Sequence, residues 1–418
     1  MSLSPANGPA AAPSPPESTS WALVLLLVGA GVVAALHVGK APPALPPLRA
    51  DLAMSLTASG WCVSLFNVIA AALGMLAGLA ADRAGHRRLM LTGLGAMTAA
   101  SLAGSLAPDA EWLLVSRVVE GSGFLCVVVA APTLILAATA ERDRRLALGL
   151  WSTYLPAGAA LMLAGAPWLL PQLGWRGVWA GTAAASLAYL VGLALVAGRL
   201  RSAPSPTRAR NAVGAVASTV GAPGPVLLGL CFGLYTVQWM AVIGFLPTYL
   251  AEQRGHGPAM AALVTAAVVA VNIPGNILAG WLLHRGVGRG AVIGAGACGM
   301  AVAAPFIFGG HESEAWRLAG CAMFSCLGGM VPAGVLAGVP RHAPRPELTA
   351  TTNGLAVQGS NLGNLAGPPA LAAVASGAGG WTDAPLLTIA AAGGLLVAGL
   401  ALGRRERAAR RSRRDEET

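Results

Sequence analysis

Apolar residues run in stretches of about twenty along almost the whole chain, parted by short polar segments. Each stretch is long enough to cross roughly 30 Å of hydrocarbon. Twelve are read, at 21–41, 57–80, 87–107, 112–137, 147–170, 176–199, 225–250, 260–283, 290–309, 315–338, 349–375 and 383–403. A single segment in lipid must satisfy its own backbone hydrogen bonds, so each stretch predicts a helix. The pattern predicts an all-α integral membrane protein with twelve transmembrane helices. Gly29 and Gly31, and Gly354, Gly359 and Gly363, mark places where two such helices would approach closely.

Composition narrows the class. Charged residues make up 11% of the 418 and apolar residues 55%, too little charge to solvate a soluble surface of this size. The charge that remains is unevenly placed. Of the 27 basic residues, 21 fall in alternate loops and the tail: Arg83, Arg87, Arg88, the groups 142–145, 199–210, 285–289 and 341–345, and seven arginines at 404–414. The opposite loops hold five, Lys40 among them, and Arg117 lies within a span. This bias predicts a multi-pass protein of the plasma (inner) membrane with both termini cytoplasmic. The net charge of +10 then reports topology, and no nucleic-acid partner is expected, because the basic tail follows the last span and can sit on anionic headgroups. Residues 1–20, rich in Pro, Ala and Ser, are read as a disordered cytoplasmic leader and 404–418 as a basic tail. The six cysteines all fall within spans and form no C-x-x-C pair, so neither a disulfide framework nor a metal site is implied.

The chain repeats itself at an offset of 202. Ala77-Gly78 meets Ala279-Gly280, Arg83 meets Arg285, and Arg87 meets Arg289. At the same offset Leu163-Ala-Gly-Ala-Pro-Trp-Leu169 falls on Leu365-Ala-Gly-Pro-Pro-Ala-Leu371. The halves are 21–199 and 225–403, joined by a linker at 200–224. Six spans per half is an even number, so the halves share one orientation: two parallel six-helix bundles around a central cavity.

Two motifs carry a family resemblance. Gly78-x-x-x-Asp82-Arg83-x-Gly85-x-Arg87-Arg88 resembles the loop between helices 2 and 3 of the major facilitator superfamily. Leu113-x-x-x-Arg117-x-x-Glu120-Gly121-x-Gly123 resembles that family's fourth-helix motif. Lys40-Ala-Pro-Pro-Ala-Leu-Pro-Pro-Leu-Arg49 is similar to its cyanate/nitroimidazole transporter branch. The resemblance implies the major facilitator fold and a secondary transporter working by alternating access. It also implies that Gly78, Asp82, Arg83, Gly85, Arg87 and Arg88 form a gating motif. Asp82 would meet the N-terminus of helix 11 and hold the cytoplasmic side closed. The second half departs from this pattern, with His284 where the acid should stand. The glycine-rich antiporter run of the family's drug/proton exchangers is missing too. Helix 5 holds only Gly158 and Gly165-Ala166-Pro167.

Candidate cavity residues follow from polarity inside the spans. Arg117 and Glu120 are three apart and share a helix face, and charges at this depth are expensive and face a cavity or one another. Two readings stand for them: a self-satisfied structural pair, or a substrate and proton site. His37 on helix 1 is placed near that depth. In the second half Gln238, Trp239, Asn272, Asn276, Gln358 and Asn361 are read as polar cavity wall or as links between helices. The expected function is alternating-access transport of a small polar or anionic solute, with proton coupling open. The alternatives are a drug or metabolite efflux pump of the same fold and a non-transporting membrane sensor. No phosphate-cradling loop or catalytic cluster is found, so neither an enzyme nor a cofactor is expected, and the chain is expected to act as a monomer.

Overall fold

The computed structural model describes residues 17–74, 85–143, 147, 150–151, 153–196, 198, 212–309 and 313–417. Every regular element among them is helical. Nine of the helices among the described residues are long and apolar enough to cross a membrane. The longest, Tyr154–Leu195, breaks at Gly174, whose φ of 64° is open to glycine at no steric cost, so it holds two spans. His86–Ser105 and Thr349–Ala375 complete the twelve. The first is less apolar because Arg87 and Arg88 stand in its first turn, and the second is diluted by Thr, Asn and Gln.

In chain order the spans are α1 (Trp21–Asp51), α2 (Leu56–Gly74), α3 (His86–Ser105), α4 (Ala110–Ala137), α5 (154–173) and α6 (175–195). The second half holds α7 (Pro223–Arg254), α8 (Pro258–His284), α9 (Arg289–Phe308), α10 (Glu314–Leu336), α11 (Thr349–Ala375) and α12 (Ala384–Glu417). A nine-residue helix, Ala212–Val220, lies within the linker, and α12 runs on through the segment read as a tail.

The first span differs from the expected 21–41. It continues to Asp51 through Pro42, Pro43, Pro46 and Pro47. A fresh helical segment starts at Ala41, so the first two prolines occupy a first turn, where a missing N–H deprives the helix of no bond. Lys40, counted above among the loop residues, is therefore inside the span and fully buried.

Packing follows the repeat. In the first half α1 packs on α5, and α3 on α4 and α6; in the second α7 packs on α11, and α9 on α10 and α12. Helix starts keep the 202-residue offset, with Trp21 against Pro223 and Leu56 against Pro258. The α7–α11 seam is the tightest case. Gly359 and Gly363 lie directly on the backbone of Gly229 and Gly233, and a Cβ at either would overlap a carbonyl oxygen.

The halves meet through α2 on α11, α1 on α7, and the first segment of α8 (Pro258–Ala270) on the α5–α6 helix. The bundle end that carries residues 21 and 403 is here the terminal face, and the end with the α1–α2 and α7–α8 turns the distal face. At the distal face Arg49 of α1 pairs with Glu252 of α7 across the halves, at 2.6 Å.

Candidate functional site

Inside the first half, five helices converge on one cluster of charge. From α1 come His37 and Lys40, one turn apart; from α4, Arg117 and Glu120, also one turn apart. Ser101 of α3 and Thr182 and Ser186 of α6 close the shell. Three-residue spacing on a helix puts each pair on one face. Glu120, Lys40 and His37 are 0% exposed and Arg117 1%, so the cluster is sealed from solvent.

Glu120 is shared between two cations. Its Oε1 accepts from Lys40 Nζ at 2.6 Å and its Oε2 from Arg117 Nη1. Lys40 also donates to Ser101 Oγ at 2.7 Å, lies 3.1 Å from Thr182 Oγ1, and sits over the Trp179 ring at 4.5 Å from the centroid. Arg117 donates its Nε to the Cys62 carbonyl and its Nη1 to the His37 carbonyl, each at 3.1 Å, and lies over Phe66. These contacts tie α1, α2 and α4 together. They also satisfy the guanidinium away from water, which a buried charge requires.

Nδ1 of His37 lies 3.3 Å from Lys40 Nζ, a donor, and 3.4 Å from Glu120 Oε1, an acceptor, so its tautomer decides which of the two it bonds. Nε2 pairs with Ser186 Oγ at 2.8 Å, as donor or acceptor to match. The centre thus gathers two basic side chains, one carboxylate and an imidazole.

The structure brings Arg117, Glu120 and His37 together. Lys40 was missed, because the proline run after it reads as a loop. Its signal was nonetheless present: it is the only lysine in the chain and stands three residues after His37.

The polar residues of the second half do not share one hydrogen-bonded cluster. Asn272 donates to Tyr235 Oη at 3.3 Å and the Ser325 carbonyl at 3.0 Å, linking α8 to α7 and α10. Asn276 donates to Asn272 Oδ1 at 2.8 Å. Gln238 is fully buried and donates to the Leu234 carbonyl of its own helix at 2.9 Å. Gln358 crosses the halves to the Ala71 carbonyl at 2.9 Å, and the half-buried Asn361 bonds back to the Val357 carbonyl of its own helix. Trp239 stands between Tyr235 and Phe324, with centroids 6.0 and 6.4 Å away.

Of the gating motif, Gly78, Asp82 and Arg83 lie outside the described residues. Gly85 precedes α3 with a φ of 85°, a backbone that favours glycine. Arg87 and Arg88 are exposed in the first turn of α3, where the helix dipole disfavours cations, so helix stability does not explain them. The N-terminus of α11 has no side-chain cap at Leu348.

Comparison with known proteins places this geometry. The family model described as Major Facilitator Superfamily matches residues 22–368 and 228–418. The puromycin resistance protein of Streptomyces alboniger is 31% identical over 188 residues, 45% of this chain and 37% of that protein. A methylenomycin A resistance protein of Streptomyces coelicolor is 32% identical over 149 residues, 35% of this chain and 31% of that protein. The chain thus aligns with about a third of the length of these relatives. Among solved structures, a bacterial homolog of the human lysosomal transporter Spinster, inward-facing and unoccupied, superposes with a TM-score of 0.79. It does so at 16% identity over 93% of this chain and 97% of that one. The xylose transporter XylE from E. coli, inward open, gives 0.70 at 15% identity over 91% and 95%. At these identities the solved structures speak for the fold alone.

Proposed function

Since this chain belongs to the major facilitator superfamily, we propose that it is a proton-coupled secondary transporter that exports a small organic solute by alternating access. The sealed cluster of Lys40, Glu120, Arg117 and His37 is its proton-handling centre. The observation that carries this reading is the cluster's charge count. One more cation than anion, fully enclosed, is a costly state that losing a proton or gaining an anion relieves. Lys40 can give up its proton and remain hydrogen-bonded, whereas Arg117 cannot. Protonating Glu120 would weaken the hold of Lys40 on α4 and ease the movement of α1 against it.

Export is favoured by the resistance names of the relatives, despite the missing antiporter run in helix 5. The cation excess favours a second reading, uptake of a small anion such as cyanate or a carboxylate that enters the centre as the missing charge. Thermal-shift measurements on purified protein separate the two. A shift with puromycin or methylenomycin A supports export. A shift with a small anion that vanishes in Arg117→Gln supports the second reading. If neither class shifts the protein or is carried in proteoliposomes, the transport proposal fails and a sensor remains.

The arginine bias supports termini on the cytoplasmic side of the inner membrane. The Arg49–Glu252 pair then closes the outer face, an inward-facing state. Asp82 serves as the cytoplasmic gate by meeting the uncapped start of α11, and a monomer suffices, because each half supplies its own walls. Asp82→Asn is expected to cut solute flux at least tenfold with membrane insertion unchanged. Flux at the wild-type rate would remove Asp82 from the gate.

A further inference from the structure

At the terminal face of the second half a cleft of about 270 Å³ opens between the start of α7, the α10–α11 loop and α12. Ala222, Pro223, Gly224 and Pro225 form one wall, and Arg341, His342, Arg405 and Glu406 the other. Glu406 is buried at its base, paired with Arg289 and accepting from His342 Nε2 at 2.9 Å. Its charge is thereby already met. Gly224 lets the loop close here, since a Cβ would run into the His342 ring.

The rim differs from the base. Arg341 and Arg405 are both exposed, and neither has a carboxylate partner among the described residues. The first turn of α7 has no side-chain cap, and with Pro223 and Pro225 lacking an N–H it presents only that of Gly224 on the same wall. A concave site rimmed by two arginines, at the level where the spans leave the membrane, selects for phosphate. The linker helix Ala212–Val220 packs on α7 and α11 and leaves Val213 and Val220 exposed, at 80% and 50%. Valines exposed beside a basic cleft suit acyl chains below a headgroup.

We propose that this cleft binds the phosphate of an anionic phospholipid headgroup, with Arg341 and Arg405 as its ligands and the linker helix seated on the acyl chains. The bound lipid joins the linker, which connects the halves, to the end of α12, which belongs to the second half. Lipid composition would then bear on how readily the halves move.

The test compares two double variants that lose equal charge. Arg341→Gln with Arg405→Gln empties the cleft; Arg404→Gln with Arg407→Gln removes arginines of α12 that do not line it. Purified full-length protein is titrated with phosphatidylglycerol, phosphatidylcholine or inorganic phosphate, reading thermal stability and retained lipid. Phosphatidylglycerol should stabilise the wild type more than phosphatidylcholine. Its affinity should fall about thirtyfold in the cleft variant, from roughly 1 kcal/mol per arginine, and hold in the control variant. Equal loss in both variants would show attraction to the whole basic segment and overturn the site. So would no preference for phosphatidylglycerol in the wild type. Full stabilisation by inorganic phosphate would assign the cleft to a free anion and overturn the lipid as its source. All four arginines are exposed, so both variants should fold; matching melting temperatures in phosphatidylcholine check this.

Discussion

The two halves pack their helices alike and enclose different things. Moving 202 residues along the chain carries Lys40 to Val242, Arg117 to Ala319, Glu120 to Ala322, Ser101 to Ala303 and Thr182 to Ala384. His37 becomes Trp239, which the second half stacks between Tyr235 and Phe324. The same helix arrangement is thus built once around a sealed ionic cluster and once around apolar side chains. The fold does not need charge at this place. Buried ion pairs are poor stabilisers against well-packed apolar residues, so an ionic cluster that stands at this place in one half and has no counterpart at the matching place of the other favours a role beyond packing.

The largest effect expected from breaking this contrast is in the first half. Glu120→Gln leaves Lys40 and Arg117 buried without a carboxylate, which costs about 3–5 kcal/mol. Thermal unfolding in detergent should show that loss; a change under ~1 kcal/mol would mean the cations are hydrated, contrary to their burial. In the second half the matching experiment removes an aromatic. Trp239→Ala should cost about 2–4 kcal/mol, below the figure for a fully buried tryptophan because Trp239 is only half-buried. Unlike Glu120→Gln, it should leave the pH dependence of transport unchanged. A shifted pH profile in Trp239→Ala would place proton handling in both halves.

The smallest expected effect concerns the terminal face. Burial, with Arg289, Arg341 and Arg405 close by, holds the His342 imidazole down at about 4. The folded state therefore resists its protonation. Stability from the neutral ring is intact above the unfolded value of about 6.5 and is lost as pH falls toward 4. His342→Gln should flatten this acid limb by on the order of 1 kcal/mol, since the site is partly open to solvent. An unchanged limb would show that other groups set it.

Much of the architecture was legible in the chain because length and apolarity alone decide a membrane span. The break at Gly174 matched the gap between the fifth and sixth expected spans. The 202-residue offset, drawn from two short matches, reappears in helix starts and in packing. The site was half legible. Arg117 and Glu120 announce themselves as charges in hydrocarbon, and their spacing gives the pair. Lys40 was hidden because a proline run signals a loop in water, whereas a restarted helix in lipid tolerates prolines in its first turn. The amides of the second half could not be sorted in advance. The same Asn can face a cavity or a neighbouring helix, and only the geometry showed Asn272 spent on Tyr235 and Ser325.

The most direct test makes the first half resemble the second. Lys40→Met, Arg117→Met and Glu120→Leu together replace the ionic centre by apolar side chains of similar volume, while Ser101 and Thr182 keep their bond to each other. Replacing a whole buried ionic group this way is near neutral for stability, so the triple variant should fold where Glu120→Gln is weakened. Solute flux driven by a pH gradient is then measured in proteoliposomes. The account predicts a folded protein with no gradient-driven flux; flux at the wild-type rate would show that the cluster is structural and contradict it.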